Sequence, residues 1–182
     1  MIWEIIAISG FVVLMILAKI RKKSYFTPFL IGALYGLWWE LAAEGEFNYT
    51  DFQILIYKDV GLALVIIWGV AIAGFIFISD IFQEKFPLFK KGKHMELKNC
   101  FLWDVIIATL LGFSMEILGS SYLNMWTYVP QDMPLIAYIP IRWLAGWGQI
   151  GLFIMAFVRR YDFIFEINWI KNKFEKTYKT KT

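Results

Sequence analysis

The sequence predicts an all-α integral membrane protein with five transmembrane helices. Of its 182 residues, 59% are hydrophobic, whereas soluble domains contain about 45–50%. The apolar residues gather in five runs, and a helix needs about 20 such residues to cross the hydrocarbon core of a bilayer. Basic residues gather in the segments that follow alternate runs. Together these observations predict a single transmembrane domain over residues 1–160.

The predicted spans cover about residues 2–18, 25–43, 60–79, 100–118 and 136–158. The first run lacks a basic start and a small-residue cleavage site, so it is expected to remain as a helix and not to be removed as a signal peptide. A basic cluster follows the first span, and Arg159 and Arg160 follow the fifth. Asp80 and Asp104 lie near the same predicted membrane surface, where they are expected to face headgroups or cap helices.

The distribution of lysine and arginine predicts the orientation. The segment 80–99 and the tail 161–182 are rich in lysine, whereas the segment 44–59 has only Lys58 and the segment 119–135 has neither lysine nor arginine. Because cytoplasmic loops carry the excess of basic residues, the N-terminus is expected outside and the C-terminus in the cytoplasm. The tail is expected to form a basic amphipathic segment. The sequence thus predicts a multi-pass protein of the cell membrane.

Two hairpins of the chain have matching residues. Gly36 and Glu40 match Gly112 and Glu116 at an offset of 76, and the pair Trp68–Gly69 matches Trp147–Gly148 at an offset of 79. The second and third spans would form one hairpin, and the fourth and fifth spans the other. Both would run in the same direction, which predicts a parallel repeat preceded by an added first helix. Parallel repeats place binding sites at the interface of the two halves.

Glu40 and Glu116 are the strongest candidates for function. A charge inside the bilayer costs roughly 2.5–3.5 kcal/mol on insertion scales, and such residues are usually functional. At a rise of 1.5 Å per residue, Glu40, Glu116 and Arg142 all lie about 25–27 Å from the basic boundaries of their spans. Tryptophans lie at this level and about one turn deeper. The predicted site contains the catalytic candidates Glu116, Glu40 and Arg142 and a ligand-binding wall of Trp39, Trp68, Trp143 and Trp147.

These residues suit acid chemistry on an apolar substrate. One glutamate would be the neutral proton donor, and the other, paired with Arg142, would be ionised. Aromatic faces stabilise a cation, so the site could protonate a double bond of an isoprenoid and then add water or close a ring. Glu116 is the preferred donor because its neighbours Phe113, Met115 and Ile117 are apolar.

The second hairpin resembles membrane-embedded carotenoid-biosynthesis proteins, namely the carotenoid hydratases and the small-subunit lycopene cyclases. The similar pattern is Glu116-x2-Gly119-x6-Trp126-x-Tyr128, followed by Pro134, Pro140 and Trp143. The first hairpin carries Glu40, Gly45 and Phe47-x-Tyr49, with Gly61 in place of the proline. The resemblance implies a carotenoid-like ligand and adds Tyr49 and Tyr128 to the ligand-binding residues.

Two other functions remain open. One is a small transporter or channel subunit, and the other is a non-catalytic lipid-binding, ligand-binding or assembly protein. The chain has one histidine, His94, and one cysteine, Cys100, so neither a metal site nor a cofactor is predicted. The net charge of +3 arises from loops and the tail, which does not indicate nucleic-acid binding. The expected partners are membrane lipids and an apolar isoprenoid-like ligand. Whether the protein forms a homo- or hetero-oligomer is left open.

Overall fold

The computed structural model describes residues 2–43, 45–49, 52–58, 60–86, 95–129, 135–136 and 139–159. These residues are mainly helical. The helices are α1 (Ile2–Arg21), α2 (Phe26–Ala42), α3 (Leu62–Lys85), α4 (Met95–Glu116) and α5 (Ile141–Gln149). Wider π-helical turns continue α4 over Ile117–Tyr122 and α5 over Ile150–Met155. The predicted amphipathic tail lies outside the described residues.

The helices agree with the predicted spans except at their ends. Four helical segments in the described part of the chain are long and apolar enough to cross a membrane: Ile2–Arg21, Leu62–Lys85, Phe101–Tyr122 and Ile141–Arg159. The helix α2 has 17 residues. The helix α5 begins at Ile141 and not at the predicted residue 136, because Leu135–Ile136 pairs with Ile139–Pro140 as two short strands.

Helix α3 lies at the centre of the bundle. It packs against α1, α2 and α4, and α5 packs against α4. Its central residues Ile72, Ala73 and Ile76 are fully buried. Small residues allow the close approach of α2, since a Cβ atom added at Gly32 would lie 2.7 Å from Ile72 Cβ. Such small contact residues are typical of helix pairs in membranes.

Short strands lie between the helices of a chain that is mainly helical, as predicted. The strands are β1 (Phe47–Tyr49), β2 (Leu55–Tyr57), β3 (Val60–Gly61), β4 (Trp126–Tyr128), β5 (Leu135–Ile136) and β6 (Ile139–Pro140). Strand β1 pairs antiparallel with β4, so that Phe47 faces Tyr128 and Tyr49 faces Trp126. Aromatic residues that alternate with polar ones favour strands, and both segments have this pattern.

The two hairpins make the same glycine–tryptophan contact. A Cβ atom added at Gly36 would lie 2.2 Å from the Trp68 side chain, and one added at Gly112 would lie 2.1 Å from Trp147. The offset between matching residues increases from 76 to 79 after the glutamates. The three extra residues fall between Glu116 and Trp126, in the segment that contains the π-helical turn 117–122.

Candidate functional site

Glu40 is held by one tyrosine and one tryptophan. It lies in the last turn of α2 and is only 6% exposed. The Tyr49 hydroxyl, in β1, donates a hydrogen bond of 2.5 Å to Oε2 of Glu40. The Trp68 indole, in α3, donates one of 2.7 Å to Oε1. Both carboxyl oxygens therefore have a donor despite the burial, which offsets part of the cost of desolvating them.

Glu116 has the same two kinds of partner. It ends α4 and is 8% exposed. The Tyr128 hydroxyl, in β4, donates a hydrogen bond to Oε2 of Glu116. The Trp147 indole, in α5, donates one of 3.0 Å to Oε1. The hairpins thus place a matched set of glutamate, tyrosine and tryptophan at equivalent positions.

The two sets meet in the middle of the protein. The rings of Trp68 and Trp147 stack with their centroids 5.3 Å apart. The two tyrosines lie on β1 and β4, which are hydrogen-bonded to each other. The structure therefore brings the carboxyl groups of both hairpins into one cluster.

A single cavity of about 290 Å³ is bordered by both glutamates. Apart from Glu40, Glu116, Tyr35, Tyr49 and Gln149, its described lining is apolar. Five of the predicted ligand-binding residues border it: Trp39, Trp68, Trp143, Trp147 and Tyr49. The sixth, Tyr128, holds Glu116 but is not among the lining residues. The exposed residues Leu118, Leu123 and Gln149 also border the cavity, so its mouth is mainly apolar.

Arg142 has a different partner from the predicted one. Its Nη2 atom lies 2.6 Å from Oε2 of Glu46, and its guanidinium lies 4.7 Å from the centre of the Trp143 ring. Arg142 is not among the residues that border the cavity. The loop after α2 lies against the end of β4, where the Val129 amide donates to the Glu46 carbonyl, and Glu46 in this loop contacts Arg142 at the start of α5. Arg142 thus connects α5 to that loop, and its ion pair is with Glu46 and not with Glu40 or Glu116.

Trp3 and Trp126 are wall residues that the sequence did not predict. Trp3, in α1, is 1% exposed and borders the cavity. Its ring centroid lies 5.8 Å from that of Tyr49 and 5.9 Å from that of Trp126. Trp126 was detectable because it belongs to the same short motif as Tyr128. Trp3 has no counterpart in the repeat, so no pattern marked it.

The two tyrosine hydroxyls remain protonated at neutral pH. Burial raises the pKa of Tyr49 well above its usual value, and the neighbouring Glu40 adds to the effect. Burial also raises the pKa of Tyr128, with Glu116 as the second cause. Both hydroxyls therefore keep the hydrogen that they donate to the carboxyl groups.

The hydrogen bonds determine which carboxyl oxygen can carry a proton. An indole N–H only donates, whereas a phenol hydroxyl both donates and accepts. In Glu40 and Glu116, Oε1 faces an indole and Oε2 faces a tyrosine. A proton can therefore sit on Oε2 if the tyrosine hydroxyl turns to accept it. Each site can hold its glutamate in either the neutral or the ionised form.

A second buried polar cluster lies at the other end of the bundle. Arg159 donates hydrogen bonds of 2.5 Å and 2.6 Å to Asp104 and one of 2.7 Å to Asp80. Lys23 lies 2.8 Å from Asp80, and Ser79 donates to Asp104. Asp80 and Asp104 are 6% and 0% exposed, which corrects the expectation that they face headgroups. The charges of Arg159 and Lys23 balance those of the two aspartates.

Comparisons with known proteins give no relative. No protein-family model matches the chain, and neither a curated protein nor a solved structure matches it.

Proposed function

We propose that this chain is a membrane-embedded enzyme that protonates an apolar, isoprenoid-like substrate and catalyses its hydration or cyclisation. One observation carries the proposal. Two buried carboxyl groups, each able to hold or release a proton, border one cavity whose remaining described wall is almost entirely apolar. Such a wall binds hydrocarbon and excludes bulk water, while the acids supply the reactive proton.

The exposed surface supports a location in the membrane. Helix α1 exposes Ile5, Ile8, Ile16 and Ile20, each by more than half of its surface. Apolar residues exposed along the whole length of a helix suit contact with lipid better than contact with water. We propose five spans, with α2 as the shortest, an outer N-terminus and a cytoplasmic C-terminus. The matched glutamate sets support an origin of the two hairpins by duplication.

In the proposed reaction, Glu116 transfers the proton on Oε2 to one carbon of a substrate double bond. The π electrons form the new C–H bond, and the other carbon becomes a cation that the faces of Trp68 and Trp147 stabilise. Water then adds to the cation, or a second double bond closes a ring. The proton released in that step goes to the carboxylate of Glu40, and transfer of that proton from Glu40 to Glu116 restores the starting state. The reaction needs no oxidant or reductant.

The cavity limits how much of the substrate enters. Its volume of about 290 Å³ is roughly twice the 150 Å³ of an engineered cavity that binds benzene. The cavity therefore has room for about 12 carbon atoms of the substrate. A long polyene would therefore insert one end and leave the rest outside. The exposed leucines at the mouth, Leu118 and Leu123, provide an apolar path for that remainder.

The described core gives less support to a transporter. A transported ion or polar solute needs a polar route between the glutamates and the Arg159 cluster. Along α3, the residues between Trp68 and Ser79 include Ile72 and Ile76, which are fully buried in an apolar cluster. A non-catalytic ligand-binding protein remains the alternative, because it would use the same cavity without proton transfer.

Replacing Glu116 by glutamine separates catalysis from binding. The variant keeps the size of the side chain and its hydrogen bond from Trp147 but has no proton to transfer. Turnover of polyene and polyprenyl substrates in membranes should fall at least about 10²-fold, while ligand binding and thermal stability stay close to those of the parent protein. Glu84→Gln, at an exposed glutamate paired with Arg21, is the matched control and should keep full activity.

Full turnover by Glu116→Gln would contradict the enzyme proposal. Retention of a copurified lipid by both proteins, with no conversion by either, would instead favour the ligand-binding alternative.

A further inference from the structure

A second, smaller cavity borders Glu40 on the side facing the loops. Its volume is about 30 Å³, close to the volume that one water molecule occupies in the liquid. Its lining residues are Glu40, Leu41, Ala43, Gly45, Phe47, Tyr49, Tyr57, Lys58 and Val60. Leu41, Tyr57 and Lys58 are exposed, so this cavity lies at the protein surface.

Glu40, Phe47 and Tyr49 belong to the walls of both cavities. Glu116 borders only the large one among the cavities described. The two glutamates have matching hydrogen bonds and similarly small exposure, but only Glu40 borders the second cavity. This difference breaks the symmetry of the two hairpins.

We propose that the small cavity is a water vestibule, and that Glu40 with Tyr49 forms the passage by which protons and single water molecules enter and leave the large cavity. The Tyr49 hydroxyl relays the proton across the 2.5 Å hydrogen bond to Oε2 of Glu40: it accepts a proton from Glu40 while it gives its own to water in the vestibule, so it remains a neutral phenol. Glu116 does not border the vestibule, so its proton is replaced through Glu40.

The assigned roles rest on the proposed function, but the vestibule itself can be tested without a substrate. In a Cys100→Ser background, Glu40→Cys and Tyr49→Cys are two reporters that react with a small, charged methanethiosulfonate only where water reaches them. Ala43→Leu, a buried residue in the vestibule wall, should block the vestibule. Ala42→Leu, at the adjacent exposed residue, is the matched control.

We expect Ala43→Leu to slow the reaction of both reporters by about tenfold or more and Ala42→Leu to leave the rates nearly unchanged. Val60→Phe, from the opposite wall, is a second block in case Ala43→Leu lowers the melting temperature. The proposal is overturned if neither reporter reacts, if both blocks leave the rates unchanged, or if the control slows them equally. These rates do not depend on turnover, so loss of the enzyme proposal would leave the vestibule result intact.

Discussion

The indole rings of Trp68 and Trp147 stack at an interplanar angle of 22°, and each donates its N–H to a different buried glutamate. The stacked pair therefore couples the two halves of the protein at the point where the carboxyl groups are held. A change that moves either ring would alter one carboxyl group and the packing of the other ring. This coupling makes the tryptophans and the glycines beneath them the most direct targets for mutation.

Gly36→Ala and Gly112→Ala should each destabilise the protein. The added methyl group would lie about 2 Å from a tryptophan side chain, and overpacking of this kind costs roughly 1–3 kcal/mol. Thermal unfolding followed by tryptophan fluorescence measures the effect and also reports movement of the ring. Gly74→Ala is the control, because a Cβ atom there meets no atom within 4 Å. Equal melting temperatures for all three variants would contradict the proposed glycine–tryptophan contacts.

A disulfide between positions 48 and 127 tests the pairing of the two loops. Asn48 and Thr127 are exposed partners across β1 and β4, and directly opposed residues have Cβ atoms about 4.5–5.5 Å apart. In a Cys100→Ser background, Asn48→Cys with Thr127→Cys should form an intramolecular disulfide under mild oxidation. Proteolysis and nonreducing electrophoresis would detect it. The pair Asn48→Cys with Asn124→Cys, out of register, should cross-link much less, and equal yields would argue against this register.

Arg159→Met should be strongly destabilising. It would leave the buried Asp104 and Asp80 without their guanidinium partner, and breaking a buried ion pair on one side costs roughly 3–5 kcal/mol. Arg21→Met is the control, since its partner Glu84 is exposed and surface pairs contribute at most about 1 kcal/mol. The melting temperatures in detergent of the two variants and the parent provide the comparison. A smaller loss for Arg159→Met than for Arg21→Met would refute the structural role of the cluster.

The stability of the protein should fall in alkaline solution because of Tyr49 and Tyr128. Their folded-state pKa values are raised above the usual value of 10.0. The stability that these two hydroxyls contribute is therefore fully present below about pH 10. Above it, the unfolded chain loses protons that the folded protein keeps, which favours unfolding. Melting temperatures between about pH 8 and 11 should therefore decline less steeply in the variant Tyr49→Phe with Tyr128→Phe. If the melting temperature of that variant falls with pH as steeply as that of the parent protein, neither hydroxyl is shielded from solvent.

The sequence alone determined the helices and the level of the two acids along them. Apolar runs report helix length directly, and a constant rise per residue converts spacing into depth. The match of Glu40 with Glu116 and of Trp68 with Trp147 was therefore visible before the fold, as was the aromatic wall. These are local properties of single helices, or comparisons of one helix with another.

Only the tertiary structure decided which side chains meet. Arg142 lies at the same depth as the glutamates, yet it binds Glu46, in the loop after α2 that lies against the end of β4. Asp104 and Arg159 are 55 residues apart and show no periodicity that links them. The partner of a charged group depends on rotation about the helix axis and on the path of the loops. A sequence pattern gives the depth of a charged group along its helix. The packing of the whole bundle determines which group it pairs with.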